Sequence, residues 1–138
     1  MAKKKSKRTK KPKRSTLVKQ LDRLFSAVIH KRDEGVCQMC GATSGRMNCS
    51  HIYSRRCSAL RWDMTNAILK CVRCHKYGML AWHQSPLSAA LKFIRKFSAR
   101  AEYLKGLEDR QELVKEWTIP ELLKQEQFLK DKLEGLDE

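Results

Sequence analysis

Long apolar runs are missing from this 138-residue chain, and nothing in it approaches the roughly 18 to 20 consecutive apolar residues of a membrane-spanning helix. The basic N-terminus does not lead into the apolar stretch of a secretory signal either, because Lys19, Asp22 and Arg23 interrupt it. Acidic residues are absent from the first 14 positions, which hold nine Lys or Arg and almost nothing apolar. A segment of that kind buries too little surface to offset its ordering entropy, so residues 1–14 are expected as a flexible basic arm. The arm also lacks the aromatic and Leu face of an interfacial helix, which argues against a membrane partner. No internal repeat is present. Without an export signal the expected location is a reducing cytoplasm, where six cysteines point to metal rather than to disulfides.

What the chain has in excess is positive charge: 30 Lys and Arg against 15 Asp and Glu, a formal net charge of +15. The excess is uneven. Residues 1–32 carry +12, residues 33–98 carry +7 and residues 99–138 carry −4. A basic arm followed by a basic middle is the footprint of a polyanion binder, with nucleic acid favoured over an acidic protein partner. The length sets one small domain with appendages as the expectation.

Leu17, Leu21, Leu24, Phe25, Val28 and Ile29 recur at helical spacing and predict a helix to about Arg32, with Ser15 or Thr16 able to cap its start. Short strands are expected near 46–52 and 67–70, a helix from Leu80 to Leu107 broken around Ser85-Pro86, and a last helix opened by the capping-box spelling Thr118-Ile119-Pro120-Glu121. Between these elements lie two C-x2-C knuckles, Cys37/Cys40 and Cys71/Cys74, separated by thirty residues. Each knuckle brings two thiolates to one ion from a tight turn, and two knuckles complete a tetrahedral zinc site. Four thiolates leave no open coordination position, so the expected zinc is structural. Cys49 and Cys57 lack partners at ligand spacing and read as packing or surface residues.

Between and just after the knuckles stand Ser50-His51, an Arg-rich loop, Arg61-Trp62-Asp63, Asn66, and His75 directly behind the final Cys. A His on a first strand, an Asn near a second and a His after the last Cys resemble the HNH nucleases, the ββα-metal class, many of which carry a four-Cys zinc. With Leu21-Asp22-Arg23-Leu24-Phe25-Ser26 and Arg32-Asp33, the pattern over residues 17–95 is similar to the phage NinG/Rap group of recombination nucleases. The resemblance implies an α+β fold: a zinc-stapled ββα-metal core over 15–98, flanked by an N-terminal helix and an acidic C-terminal helical extension over 99–138. It implies a metal-dependent DNA endonuclease of phage recombination or DNA processing, acting on branched DNA of the Holliday type, in the cytoplasm of a bacterial host.

The chemistry fits that expectation. Phosphodiester hydrolysis needs a base for water, a metal to stabilise developing charge, and cations to hold the backbone. His51 is assigned as the base and Asn66 as the residue that holds His51 or the metal. His75 is assigned as a ligand of a catalytic Mg2+ or Mn2+, with His83 eight residues later as a further ligand. Arg55, Arg56 and Arg61 are assigned to phosphates, with Lys3, Lys4 and Lys5 of the arm beside them on DNA. Where many HNH motifs place an acidic ligand before the base, this chain has Ser50. Three readings follow: fewer protein ligands on the metal, Asp63 supplying the charge instead, or a site without catalysis. A non-catalytic zinc-stapled DNA-binding module and an RNA-associated basic zinc protein of the ribosome are the competing functions. Ile119, Leu122, Leu129, Leu133 and Leu136 form a stripe expected to pack on the chain's own helices, with a homodimer through this segment as the alternative.

Overall fold

The computed structural model describes residues 13–135; Lys3, Lys4, Lys5 and Leu136 lie outside the described residues. The expected amphipathic helix is α1, Arg14–Arg32, and it turns Leu17, Leu21, Phe25, Val28 and Ile29 inward. Its N-cap is Lys13 with no side-chain cap bond, so neither Ser15 nor Thr16 starts it. The chain reverses through Glu34 and Gly35, both at positive φ, and Gly35 N–H donates to His30 O at 3.1 Å. His30, Lys31 and Arg32 occupy the last turn, where cations complement the helix dipole.

Two strands follow, β1 (Met47–His51) and β2 (Ala67–Cys71), antiparallel with Met47 opposite Cys71 and His51 opposite Ala67. Strand alternation gives the sheet two faces. Met47, Cys49, Ala67 and Leu69 pack with Leu17, Leu21, Phe25 and Trp62 on the α1 side. Ile68 packs on the other side with Leu60, Phe93 and Leu104. The result is a small α+β architecture whose only sheet among the described residues is this pair.

The Arg32-Asp33 pair latches α1 to the sheet. Asp33 is buried, accepts the Leu69 N–H at 2.9 Å and is bridged by Arg32 at 2.9 Å, while Arg32 also donates to Ala67 O at 2.7 Å. Removing the carboxylate would leave a buried N–H and an unpaired guanidinium, each costly in a dry environment.

The helix expected from Leu80 to Leu107 breaks at Ser85-Pro86 as expected, but residues 80–84 before the break are turns and a second break follows. Pro86 occupies the first turn of α2 (Pro86–Lys96), and Phe97, at φ −128° and ψ 53°, separates it from α3 (Ser98–Asp109). The last helix, α4 (Ile119–Gly135), opens with the expected reciprocal cap: Glu121 N–H donates to Thr118 Oγ1, and Thr118 N–H donates to the Glu121 carboxylate. It lies along α1, with Leu122 and Leu129 fully buried against it and Ile119 and Leu133 half-buried. The C-terminal stripe is therefore covered in cis, and Leu104, Leu122 and Leu129 belong to the two cores rather than to a peripheral extension. Among the described residues no helix is long and apolar enough to cross a membrane.

Candidate metal centre and histidine cleft

The two knuckles come together at the open end of the sheet. Cys37 N–H donates to Ala42 O at 2.9 Å, Gly41 N–H donates to Cys37 O at 2.8 Å, and Gln38 N–H donates to Leu69 O at 2.9 Å. The first knuckle is thereby a tight turn pinned to β2, whose last residue is Cys71. The Sγ atoms of Cys37, Cys40, Cys71 and Cys74 all lie within 4.8 Å of one another, with Cys40 and Cys71 at 3.7 Å. Thiolates at ~2.3 Å from a tetrahedral zinc stand about 3.8 Å apart, so this set is positioned to hold a metal ion such as zinc. Burial opposes ionisation of Cys37, yet the N–H groups of Cys71, Cys40 and Met39 hold its thiol down at about 6. Beside the cluster, the fully buried Lys70 places Nζ 3.8 Å from the centre of the Trp82 ring. Burial pushes Lys70 down to about 8 against the attraction of Cys74 and Cys37. Cys49 and Cys57 lie outside the cluster, and burial pushes the Cys49 thiol up to about 12, so it stays protonated and inert.

Behind Cys71 the chain makes one wide helical turn, Arg73–Tyr77, and stops at Gly78. A side chain at Gly78 would bring Cβ within 2.5 Å of Arg73 O, so only glycine fits the end of this turn. The chain then folds back, with Trp82 N–H donating to Cys74 O at 2.9 Å and His83 N–H donating to His75 O at 3.1 Å. His83 thus reaches His75 through a reversal, not along a continuous helix. Their Nε2 atoms are 3.0 Å apart, and His75 Nδ1 is buried without a partner among the described residues. Burial, then the neighbouring His83, Lys70 and Lys76, push His75 down to about 4, which keeps its lone pair free at neutral pH.

His51, at the end of β1, shares with His75 and His83 a cleft of about 400 Å³, together with Arg55 and Lys76. Its ring packs on Phe25, 5.4 Å between centroids, and its Nε2 is 2.9 Å from Arg61 O. A carbonyl only accepts, so Nε2 carries the hydrogen and Nδ1 carries the lone pair. Burial lowers the His51 pKa below its ordinary value, opposed by the Arg61 carbonyl.

Asn66 is fully buried and touches neither His51 nor a metal position directly. Its Oδ1 accepts Tyr53 N–H at 2.8 Å, and its Nδ2 donates to Tyr53 O at 3.0 Å and Leu60 O at 3.1 Å. It closes the Arg-rich loop at both ends, and that loop carries Arg55 and the Arg61 carbonyl. Asn66→Ala leaves the half-buried N–H and C=O of Tyr53 without a partner and Leu60 O with Asp63 N–H alone, so a loss of about 2 kcal/mol in unfolding free energy is expected. Chemical denaturation of the two proteins measures it.

Two further expected roles differ. Arg61 is not a free phosphate contact: it donates twice to Asp22 of α1, at 3.0 and 2.7 Å, and Asp22 also accepts the Trp62 indole N–H at 3.0 Å. Burial works against the charged Asp22, but the bonds from Arg61 and Trp62 win and hold its carboxyl below the usual range. Asp63 does not replace the missing acid: Oδ1 accepts Thr65 N–H at 2.9 Å and its hydroxyl at 2.6 Å, Oδ2 accepts Tyr103 OH at 3.1 Å, and Asp63 lines a different cavity. Ser50 is buried on the sheet face opposite His51. Arg56 is exposed on the loop outside the cleft lining, whereas Arg55 lies in it, held only loosely by Asp22 at 3.9 Å. Lys76 was not among the expected residues; its one sequence signal is a cation directly after His75.

Compared with protein-family models, curated proteins and solved structures, the chain matches none.

Proposed function

We propose that this chain is a metal-dependent nucleic-acid phosphodiesterase, a DNA endonuclease of HNH type whose ββα-metal site is stapled by a four-Cys zinc. The observation that carries the reading is the convergence of His51, His75 and His83 with Arg55 and Lys76 on one cleft. His51 Nδ1 takes the proton of the attacking water, with the ring held by the Arg61 carbonyl. Arg55 and Lys76 hold the phosphate. His75 and His83 would hold the catalytic ion, which when bound stabilises charge on the phosphate and the leaving oxygen. Two nitrogens 3.0 Å apart suit ligands at ~2.1 Å from one ion, and an imidazole set without a cleft carboxylate suits Mn2+ better than Mg2+. The test is cleavage of linear, single-stranded and four-way DNA by the zinc-containing protein in Mn2+ and in Mg2+. The proposal expects cutting with Mn2+ foremost; the four-way substrate tests the branched-DNA role in phage recombination.

One observation favours a second reading, a DNA-binding module without catalysis: among the described residues no carboxylate lines the cleft. Binding without cutting in either metal would select it.

The arm serves both readings. Residues 2–12 contain seven Lys or Arg and stop short of α1. Their removal is expected to weaken binding to every DNA sequence about equally. Each phosphate contact contributes roughly 0.9 to the slope of log affinity on log salt, so the slope falls by as much as about 6. Salt titrations of full-length and shortened protein measure it, and equal slopes would show that the arm does not touch DNA.

A further inference from the structure

A groove of about 810 Å³ runs between α2 and α3, lined by Ala90, Phe93, Ala101 and Leu104, with Glu102 on its α3 bank. Along its α2 edge Leu87, Leu91 and Ile94 recur at spacings of four and three, and they are 74%, 52% and 50% exposed. The helix already turns a separate face, Ala89 and Phe93, into the core. Thus α2 is apolar on two sides, and the second side is exposed, covered by nothing among the described residues. Two apolar faces on a short helix of a small domain mark an interaction surface rather than a core element.

We propose that a second copy of this chain covers the surface, across a two-fold axis lying in the contact plane and running along α2. The charges bordering the groove argue for this occupant. Lys92 and Arg95 are exposed on α2, Glu102 is exposed on α3, and none of the three has an ion-pair partner among the described residues. Rotation about such an axis keeps the two α2 helices parallel and sets stripe on stripe. It also exchanges the banks, so that Arg95 of each copy meets Glu102 of the other, as an isologous interface requires. Apolar centre and complementary charged rim are the anatomy of a protein interface. The groove shares Ile52, Trp82 and His83 with the histidine cleft, which makes a nucleic-acid strand the competing occupant. A strand fits less well, since the groove presents Glu102, and its Lys105 is held by Asp109 at 2.7 Å and Glu108 at 3.7 Å. The C-terminal stripe is not available for this contact, because α1 covers it.

Sedimentation velocity of the full-length, zinc-containing protein tests the proposal without reference to catalysis. Wild type is expected at twice the 16.1 kDa chain mass. Leu91→Glu, at an exposed site, is expected as a monomer with unchanged zinc content and helical circular dichroism. Arg95→Glu and Glu102→Arg are each expected to raise the dimer dissociation constant at least tenfold, and an equimolar mixture of the two is expected to restore a heterodimer. A wild-type monomer, a dimer that survives Leu91→Glu, or a mixture that stays monomeric overturns the proposal. A monomer whose Leu91→Glu variant loses DNA affinity also overturns it and assigns the groove to nucleic acid.

Discussion

Cys71→Ser is expected to abolish metal binding and unfold the centre of the chain. The purified wild type should carry about one zinc per chain, and the variant none. The expected effect is large because Cys71 acts at two levels. It ends β2 opposite Met47, and its Sγ stands 3.7 Å from that of Cys40, so it joins the sheet to the first knuckle through the ion. Structural zinc contributes about 10 to 16 kcal/mol in zinc-finger peptides, as much as or more than the roughly 5 to 15 kcal/mol that holds a whole domain folded. The segment between the knuckles is also held by the strand pair, the Asn66 bonds, the Arg32-Asp33 latch, the Asp22 bonds to Arg61 and Trp62 and the burial of Leu60, Trp62 and Leu69, but none of these ties the first knuckle to the end of β2 as the ion does. Metal analysis together with circular dichroism checks this. A variant that is metal-free yet melts like wild type would show that the four thiols are not a structural site.

That cluster was legible because C-x2-C geometry is local: two residues between thiols define a turn, and only the pairing of the knuckles had to be inferred. The same holds for α1, whose apolar stripe runs from Leu17 to Ile29, and for the Thr118/Glu121 cap. Roles that depend on a distant partner were not legible. Nothing in the spelling of Arg61 says that Asp22, thirty-nine residues earlier, will accept both of its bonds. Nor does the spelling of Asp63 show that its carboxylate caps the following turn, accepting from Thr65 two residues on, or that Tyr103 reaches it from α3. The backbone partners of Asn66 are hidden for a related reason. A buried amide acts on whatever backbone surrounds it, and the loop ends at Tyr53 and Leu60 become neighbours only once the chain folds. His83, eight residues after His75, meets it through a turn that depends on Gly78 and not along one helix face.

The second large effect is expected at His51. In the proposed phosphodiesterase, His51→Ala should lower cleavage by about 100- to 10,000-fold, the usual contribution of a general base. DNA affinity should change little, because the base acts on the transition state and Arg55 and Lys76 remain to hold the phosphate. His51→Gln is the sharper variant. Its amide can keep a donor toward Arg61 O, now satisfied by Nε2 at 2.9 Å, and so preserve the loop while removing the titrating nitrogen. The pH profile supplies an independent check. Burial lowers the His51 pKa below 6.5, so the active, neutral ring predominates at pH 7. Cleavage should therefore rise as pH increases through a value under 6.5 and be flat in that limb around neutrality, and the acid limb should disappear from the residual activity of His51→Gln. Single-turnover assays across pH, with binding measured in parallel, separate the base from a merely structural histidine. If His51→Gln cuts as fast as wild type with the same acid limb, the proton is taken by another group and the role assigned to this cleft is wrong.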